Sequence, residues 1–310
     1  MARPKVSIIG AGAVGTAAAH WLAAKGFADI VLTDIVEGLP EGKALDIQQA
    51  GPIAGFDVLL SGTSTGYDET AGSRVVVITA GIPRKPGMTR EQLIDTNAGI
   101  LRQVIDQVVP RSREAVFIIL TNPLDAMTYL AYKVSGLPRA RVIGQSGALD
   151  TTRFRTFLAM ELGVSVQDVD ALVIGAHTDK DMVPLASLAN VRGIPVSALL
   201  PVDRLDAVVA RTRRGGAEIT ELMKQSGFTA AGASLVEMIE AVLLDRRRVI
   251  PCCVYLEGEY GQRDLCIGVP VVVGAGGMDR VLEAPLSGPE REAFTASVAA
   301  VRELLSALKL

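Results

Sequence analysis

The chain has 310 residues and a mass of 32.6 kDa, enough for two domains that each bury a core. Lys and Arg number 31 against 34 Asp and Glu, and the resulting net charge of −3 offers no basic field for nucleic acid or an anionic membrane surface. Apolar residues make up 49%, which excludes a disordered chain, and no apolar run reaches the ~18 residues that a membrane-spanning helix needs. Arg3 and Lys5 precede a weakly apolar stretch that superficially looks like a secretory leader, but its three glycines and His20 fit a different element, described below. The expectation is therefore a chain that is mature from its first residues and cytoplasmic.

In chain order, 5–9 is an apolar run stopped by Gly10 and predicts a buried strand. Helical character over 13–25 ends at Gly26. A strand at 29–33, a helix at 40–50, strands at 58–61 and 74–79, a long helix at 89–109 and a strand at 115–120 follow. Continuous apolar strands alternating with helices imply a parallel sheet covered on both faces. The pattern changes after Gly144. A helix starts near Leu149, a strand over 168–174 leads to a polar loop with His177, and helices are expected at 204–224 and 235–245. Strands at 249–255 and 265–273 and a closing helix within 287–310 complete the chain. The fold class is thus α/β: a Rossmann doubly wound parallel sheet over 1–144, followed by a mixed α+β substrate domain over 145–310. Cys252, Cys253 and Cys266 lie in the two late strands; their odd number and the lack of a C-x-x-C pair predict buried reduced thiols and no metal. The basic runs 211–214 and 246–248 are expected on solvated faces, the second at the negative end of a helix.

Gly10-Ala11-Gly12-Ala13-Val14-Gly15 is a G-x-G-x-x-G placed directly after a strand and opening a helix, the context this motif requires. Gly10 permits the tight turn, Gly12 lets the backbone approach a pyrophosphate, and Gly15 allows helix and strand to pack closely. Together with Ala13 and Val14 they form a helix N-terminus that offers free N–H groups to phosphate. Asp34 stands at the end of the second strand, 19 residues beyond Gly15, where a carboxylate accepts from ribose hydroxyls. It repels a 2′-phosphate and Ile35 follows it rather than an Arg, so the expected cofactor is NAD rather than NADP.

The chain has two histidines. Hydride exchange between a nicotinamide and a C–OH/C=O pair needs a proton partner that titrates near neutrality, and imidazole is the usual one. His20 lies within the first helix, on a packing or solvated face, whereas His177 lies in a polar loop after a strand. If the chain performs such chemistry, His177 carries it.

Several segments, in order over nearly the whole chain, resemble the lactate/malate dehydrogenase family: IIGAGAVG (8–15), TAGIPRKPGMTR (79–90), TNPLDAMTY (121–129), IGQSGALDTTRFR (143–155) and GAHTDKDMVP (175–184). The overall look is closest to the malate dehydrogenases of lactate-dehydrogenase-like type. The resemblance implies that His177 exchanges a proton with the substrate oxygen, and that Asp150 hydrogen-bonds the other ring nitrogen and stabilises the imidazolium. It implies that Arg153 grips the substrate C1 carboxylate by a two-pronged contact and that Arg90 polarises the carbonyl. Asn122 would lie near both the substrate hydroxyl and the nicotinamide, and Asn97 on the cofactor side. In the family, 82–90 is a loop that closes over the substrate and expels water. Arg84 holds the position that reads the substrate's distal end, where a lactate enzyme has glutamine. A cation there selects a dicarboxylate, malate or oxaloacetate, because pyruvate would leave it unpaired. The small run 230–234 (AAGAS) resembles the far wall of that pocket. A homodimer or homotetramer is implied, with no nucleic-acid or membrane partner.

One segment departs from the family pattern. His177 is followed by Thr178 where glycine is usual, and one extra residue precedes Val183-Pro184. Thr takes glycine's special backbone angles poorly, so the loop path is expected to differ, and either Asp179 or Asp181 could fill the usual aspartate position. Two other readings remain: a lactate or other 2-hydroxyacid dehydrogenase, and a catalytically silent NAD-binding protein.

Overall fold

The structure is a computed structural model, and it describes residues 3–83 and 87–309. The first half alternates as the apolar pattern requires: β1 (Lys5–Ile9), α1 (Ala13–Lys25), β2 (Asp29–Thr33), α2 (Leu39–Ala54), β3 (Leu60–Thr63), β4 (Val75–Ile78), α3 (Arg90–Arg111), β5 (Val116–Ile119), α4 (Leu124–Ser135) and β6 (Val142–Gly144). The second half runs α5 (Gly147–Leu162), β7 (Val169–Asp170), β8 (Val173–Gly175), β9 (Met182–Pro184), β10 (Asn190–Val191), β11 (Ile194–Pro195), α6 (Val196–Leu199), α7 (Val202–Met223), α8 (Thr229–Leu243), β12 (Arg248–Glu257), β13 (Arg263–Gly274), β14 (Gly277–Val281) and α9 (Gly288–Ser306).

Strands β3-β2-β1-β4-β5-β6 form a parallel sheet in that spatial order. Strands β1, β4, β5 and β6 bury both faces, one against a cluster with Ile8, Leu22 and Leu32, the other against a cluster with Ile78, Leu101 and Phe117. This accounts for runs such as Val75–Ile78 that are apolar throughout rather than alternating. Helix ends follow local chemistry. Thr89 and Gln92 form a reciprocal capping box at the start of α3, Ser287 and Glu290 another at α9, and α1 stops at Gly26 with φ +75°.

The second half does not build a separate main sheet. The antiparallel hairpin β12–β13 continues the first sheet, with Cys253 opposite Gly144 on β6 and Gly268 opposite Gly175 on β8. The expected strand over 168–174 divides in two. β7 pairs with β10 in a small three-stranded sheet, whereas β8 joins the main one, because the two pieces hydrogen-bond to different partners. The expected helix over 235–245 begins earlier, at Thr229, and 124–135, to which the sequence reading assigns no element, is helical. The three cysteines are free and buried.

The early start of α8 places the run 230–234 against α1. A Cβ on Gly232 would stand 2.8 Å from both the Ala17 Cβ and the Ala18 nitrogen, so the two backbones approach too closely for any larger residue. Gly232→Val is expected to destabilise the chain by about 1–3 kcal/mol as overpacking does. Urea unfolding measures this, and an unchanged midpoint would mean that the helices separate at no cost.

Candidate active site

The glycine loop has no room for a side chain at Gly10 or Gly15. Gly10 has φ +113°, and a Cβ on it would lie 2.5 Å from Thr79 Oγ1. A Cβ on Gly15 would lie 1.9 Å from the Gly10 carbonyl oxygen, which is how β1 and α1 come so close. Gly12 faces open space and precedes α1 with no side chain capping its amides, so Ala13 and Val14 open the helix with N–H groups free for phosphate.

Asp34 follows β2 directly. Its Oδ2 accepts from the Ala11 N–H at 2.6 Å and its Oδ1 from the Val36 N–H at 3.1 Å, which leaves lone pairs for ribose hydroxyls. A cleft of about 320 Å³ opens beside it, lined by Gly10, Gly12, Ile35, Tyr67 and Ile82 among others. An open backbone cradle, uncapped amides and an adjoining carboxylate fit a dinucleotide without a 2′-phosphate. One contributor is not visible in the motif: Lys43 of α2 donates from Nζ to the Ala11 carbonyl at 2.6 Å, so the Ala11 peptide is held from both sides.

Asn97 lies on α3. It is 1% exposed, and its amide is spent on backbone: Nδ2 donates to the carbonyls of Ile82 (3.1 Å) and Asn122 (2.6 Å), and Oδ1 accepts from the Ile82 N–H (2.9 Å). It braces the loop at Ile82 against the Asn122 carbonyl. Asn122 is exposed at the strand-to-helix corner before α4, and its side chain has no hydrogen bond to a described residue.

The other group of site residues assembles around Asp150. This residue lies in the first turn of α5, which leaves β6, and it is 1% exposed. One carboxylate oxygen lies 2.8 Å from His177 Nδ1 and the other accepts from Arg153 Nη1 at 2.9 Å. His177 sits just past β8, and the Thr151 hydroxyl accepts the Val173 N–H at 2.9 Å, tying α5 to that strand. Burial opposes a charge on the imidazole, but Asp150 outweighs it and the His177 pKa lies above 6.5. With Nδ1 engaged, Nε2 is the nitrogen left for a substrate proton.

Arg153 fits against α7 through Gly215 and Gly216; a Cβ on Gly216 would come within 3.4 Å of its Nη2. Arg90 occupies the first position of α3, exposed, with no hydrogen bond to the Asp150 group among the described residues. Arg84 lies outside the described residues, as do Lys85 and Pro86. His20 is exposed on α1, its ring edge against Trp21.

The departure after His177 resolves into a closed turn. The left-handed position is Gly175, φ +89°, ahead of the histidine, and Thr178 has no positive φ. Thr178 instead works through its hydroxyl, which donates to Asp181 Oδ2 at 2.7 Å and accepts the Asp181 N–H at 3.0 Å. Asp181 therefore braces the loop and Asp179 is exposed. The run 230–234 is also tied to Gln145, whose buried amide donates to the Ala231 carbonyl (2.6 Å) and the Ser234 hydroxyl (2.7 Å). The basic runs are partly ion-paired, Arg211 with Glu218, Arg214 with Glu221 and Arg248 with Glu237. Among the described residues, no helix is long and apolar enough to cross a membrane, and no cluster of His, Cys, Asp and Glu could hold a metal.

A doubly wound sheet with a dinucleotide cradle at one end and a buried carboxylate–imidazole pair at its junction with the second half defines an oxidoreductase that uses a nicotinamide cofactor. Residues 4–144 match the model of the lactate/malate dehydrogenase NAD binding domain, and 147–309 that of the lactate/malate dehydrogenase alpha/beta C-terminal domain. The chain belongs to the lactate/malate dehydrogenase family, and its cofactor is NAD. It is 54% identical over 308 residues to a malate dehydrogenase of Roseiflexus sp. (strain RS-1), covering 99% of each chain. Its fold matches the apo malate dehydrogenase of Picrophilus torridus with a TM-score of 0.95 at 46% identity, over 98% of this chain and 97% of that one. It also matches the lactate dehydrogenase of Cryptosporidium parvum, solved with lactic acid and NAD, with a TM-score of 0.94 at 38% identity, over 99% and 98%.

Lys43→Met removes the cation holding the Ala11 carbonyl. A charged hydrogen bond contributes roughly 1.5–3 kcal/mol, so NADH binding is expected to weaken about tenfold or more in a fluorescence titration. Wild-type affinity in the variant would show that the loop holds its shape without Lys43.

Proposed function

We propose that the chain is an NAD-dependent malate dehydrogenase that interconverts (S)-malate and oxaloacetate, with His177 as the acid/base. The observation that carries this is the Asp150 carboxylate bonded at once to His177 Nδ1 (2.8 Å) and Arg153 Nη1 (2.9 Å). NAD, which the glycine loop and Asp34 would hold, would supply the hydride acceptor for malate and, when reduced, the hydride donor for oxaloacetate. His177 gives the proton from Nε2 to the carbonyl oxygen in reduction and takes it from the malate hydroxyl in oxidation. Asp150 fixes the tautomer and offsets the imidazolium charge. Arg153 keeps part of its guanidinium for the C1 carboxylate, and Arg90, Arg84 and Asn122 are the further substrate-binding residues. Gly10, Gly12, Ala13, Val14, Gly15 and Asp34 hold the pyrophosphate and ribose, and Asn97 supports them from behind.

A dicarboxylate rather than lactate follows from Arg84, which needs an anionic partner once water is excluded, and the curated relatives agree with it. The cofactor and substrate domains divide after Gly144, giving 1–144 and 145–310. A cytoplasmic homodimer or homotetramer belongs to the same reading; Leu45 and Ile53 on α2, 59% and 94% exposed, are apolar side chains that self-association would cover.

The central test is NADH oxidation with oxaloacetate, followed by absorbance. His177→Asn is expected to bind NADH normally and lose at least about two orders of magnitude in turnover, the range general acid–base catalysis supplies. Near-normal turnover would end the acid/base assignment, and NADH binding without turnover in the wild type would favour the silent protein. Arg84→Gln is expected to cut kcat/KM for oxaloacetate by about tenfold or more and to raise pyruvate reduction relative to it, since a lost buried ion-pair partner costs several kcal/mol. An unchanged preference would remove Arg84 from specificity.

A further inference from the structure

A second carboxyl stands behind His177. Asp125, near the start of α4, is 1% exposed, and its Oδ2 accepts the His177 main-chain N–H at 2.9 Å. Its Oδ1 is also buried and has no hydrogen bond of good geometry; the Cys253 thiol of β12 is its neighbour, with Cys266 of β13 beside that thiol. Holding one backbone N–H takes only one neutral acceptor oxygen. A full carboxyl that is buried with one oxygen unsatisfied is a costlier choice, and such choices concentrate at functional sites.

We propose that Asp125 is a positioning residue for His177, anchoring the main chain beneath the ring and adding its negative charge to that of Asp150 so as to favour the protonated imidazole. This rests on His177 being the acid/base. The two carboxyls act from different sides: Asp150 through the ring nitrogen, Asp125 through the backbone and through space. Burial pushes the Asp125 acid up to about 6, with the His177 N–H and the imidazolium pulling it back. Asp125 therefore loses its charge in the range where the imidazole titrates, and the two protonations are linked.

The other groups facing His177 can be named. Asp150 favours its charge and Arg153 opposes it, both from α5. Cys253 is held neutral by burial on β12, and the Cys266 thiol lies beyond it on β13. From α9 comes the uncharged Ser297 hydroxyl, which accepts the Ala176 N–H at 2.8 Å. Arg213 of α7 is committed to the Met182 carbonyl at 3.3 Å. In the loop, Asp181 is bonded to Thr178, while Asp179 and Lys180 are exposed.

Asp125→Asn keeps an acceptor oxygen for the N–H and removes the charge. Malate oxidation needs the neutral ring, so its acidic limb is expected to move to lower pH. Oxaloacetate reduction needs the protonated ring, so its alkaline limb should move the same way, each by about half a pH unit or more for a charge at this range. A merely structural Asp125 would lower kcat at every pH and move neither limb. Unmoved limbs in the variant, alongside an inactive His177→Asn, would overturn this proposal and leave the acid/base reading standing. With only two histidines in the chain, the His177 ring can also be followed by 15N NMR in the wild-type protein, even if the variant fails to fold. A second inflection near pH 6 supports the proposal, and a single-step titration sinks it.

Discussion

A single buried carboxylate, Asp150, holds an imidazole by one oxygen and a guanidinium by the other. Both partners compete for it. The imidazole gains proton affinity from the carboxylate and loses some to the nearby guanidinium and to burial, and the carboxylate prevails. Because Asp150 is 1% exposed, water does not screen these interactions, so small movements of any of the three side chains change the balance. The rest of the molecule can be understood as what keeps this triangle in place.

The sheet performs that task. Asp150 lies just beyond β6 and His177 just beyond β8, and between those strands lies the β12–β13 hairpin, paired to both. The width of two strands and the closeness allowed by Gly144, Gly175 and Gly268 set the separation of two residues that are 27 apart in sequence. The Thr151–Val173 hydrogen bond and the Asp125–His177 bond remove the remaining freedom from either side. The geometry of this triangle is thereby carried by strands and helix starts rather than by the loop after His177, which explains how that loop accommodates an inserted residue and a threonine.

The cofactor end uses a different economy. The glycine loop offers its backbone, so its shape depends on residues around it: Thr79 just beyond β4, Asp34 just beyond β2 and Lys43 from α2. Asn97 does similar work where the loop at Ile82 meets Asn122.

The sequence by itself determined the local features. Apolar runs and their glycine stops placed the parallel strands, the G-x-G-x-x-G with Asp34 marked the dinucleotide end, and the scarcity of histidine singled out His177, because each signal lies within a few residues of what it specifies. Only the tertiary structure decided the rest. It revealed that 168–174 serves two sheets, that AAGAS is a helix crossing, that Asn97 is a brace, that Lys43 bonds the glycine loop and that Asp125 bonds the His177 main chain. Their partners lie tens of residues away, and a side chain's spacing in sequence carries no record of which distant backbone group it will meet once the chain is packed.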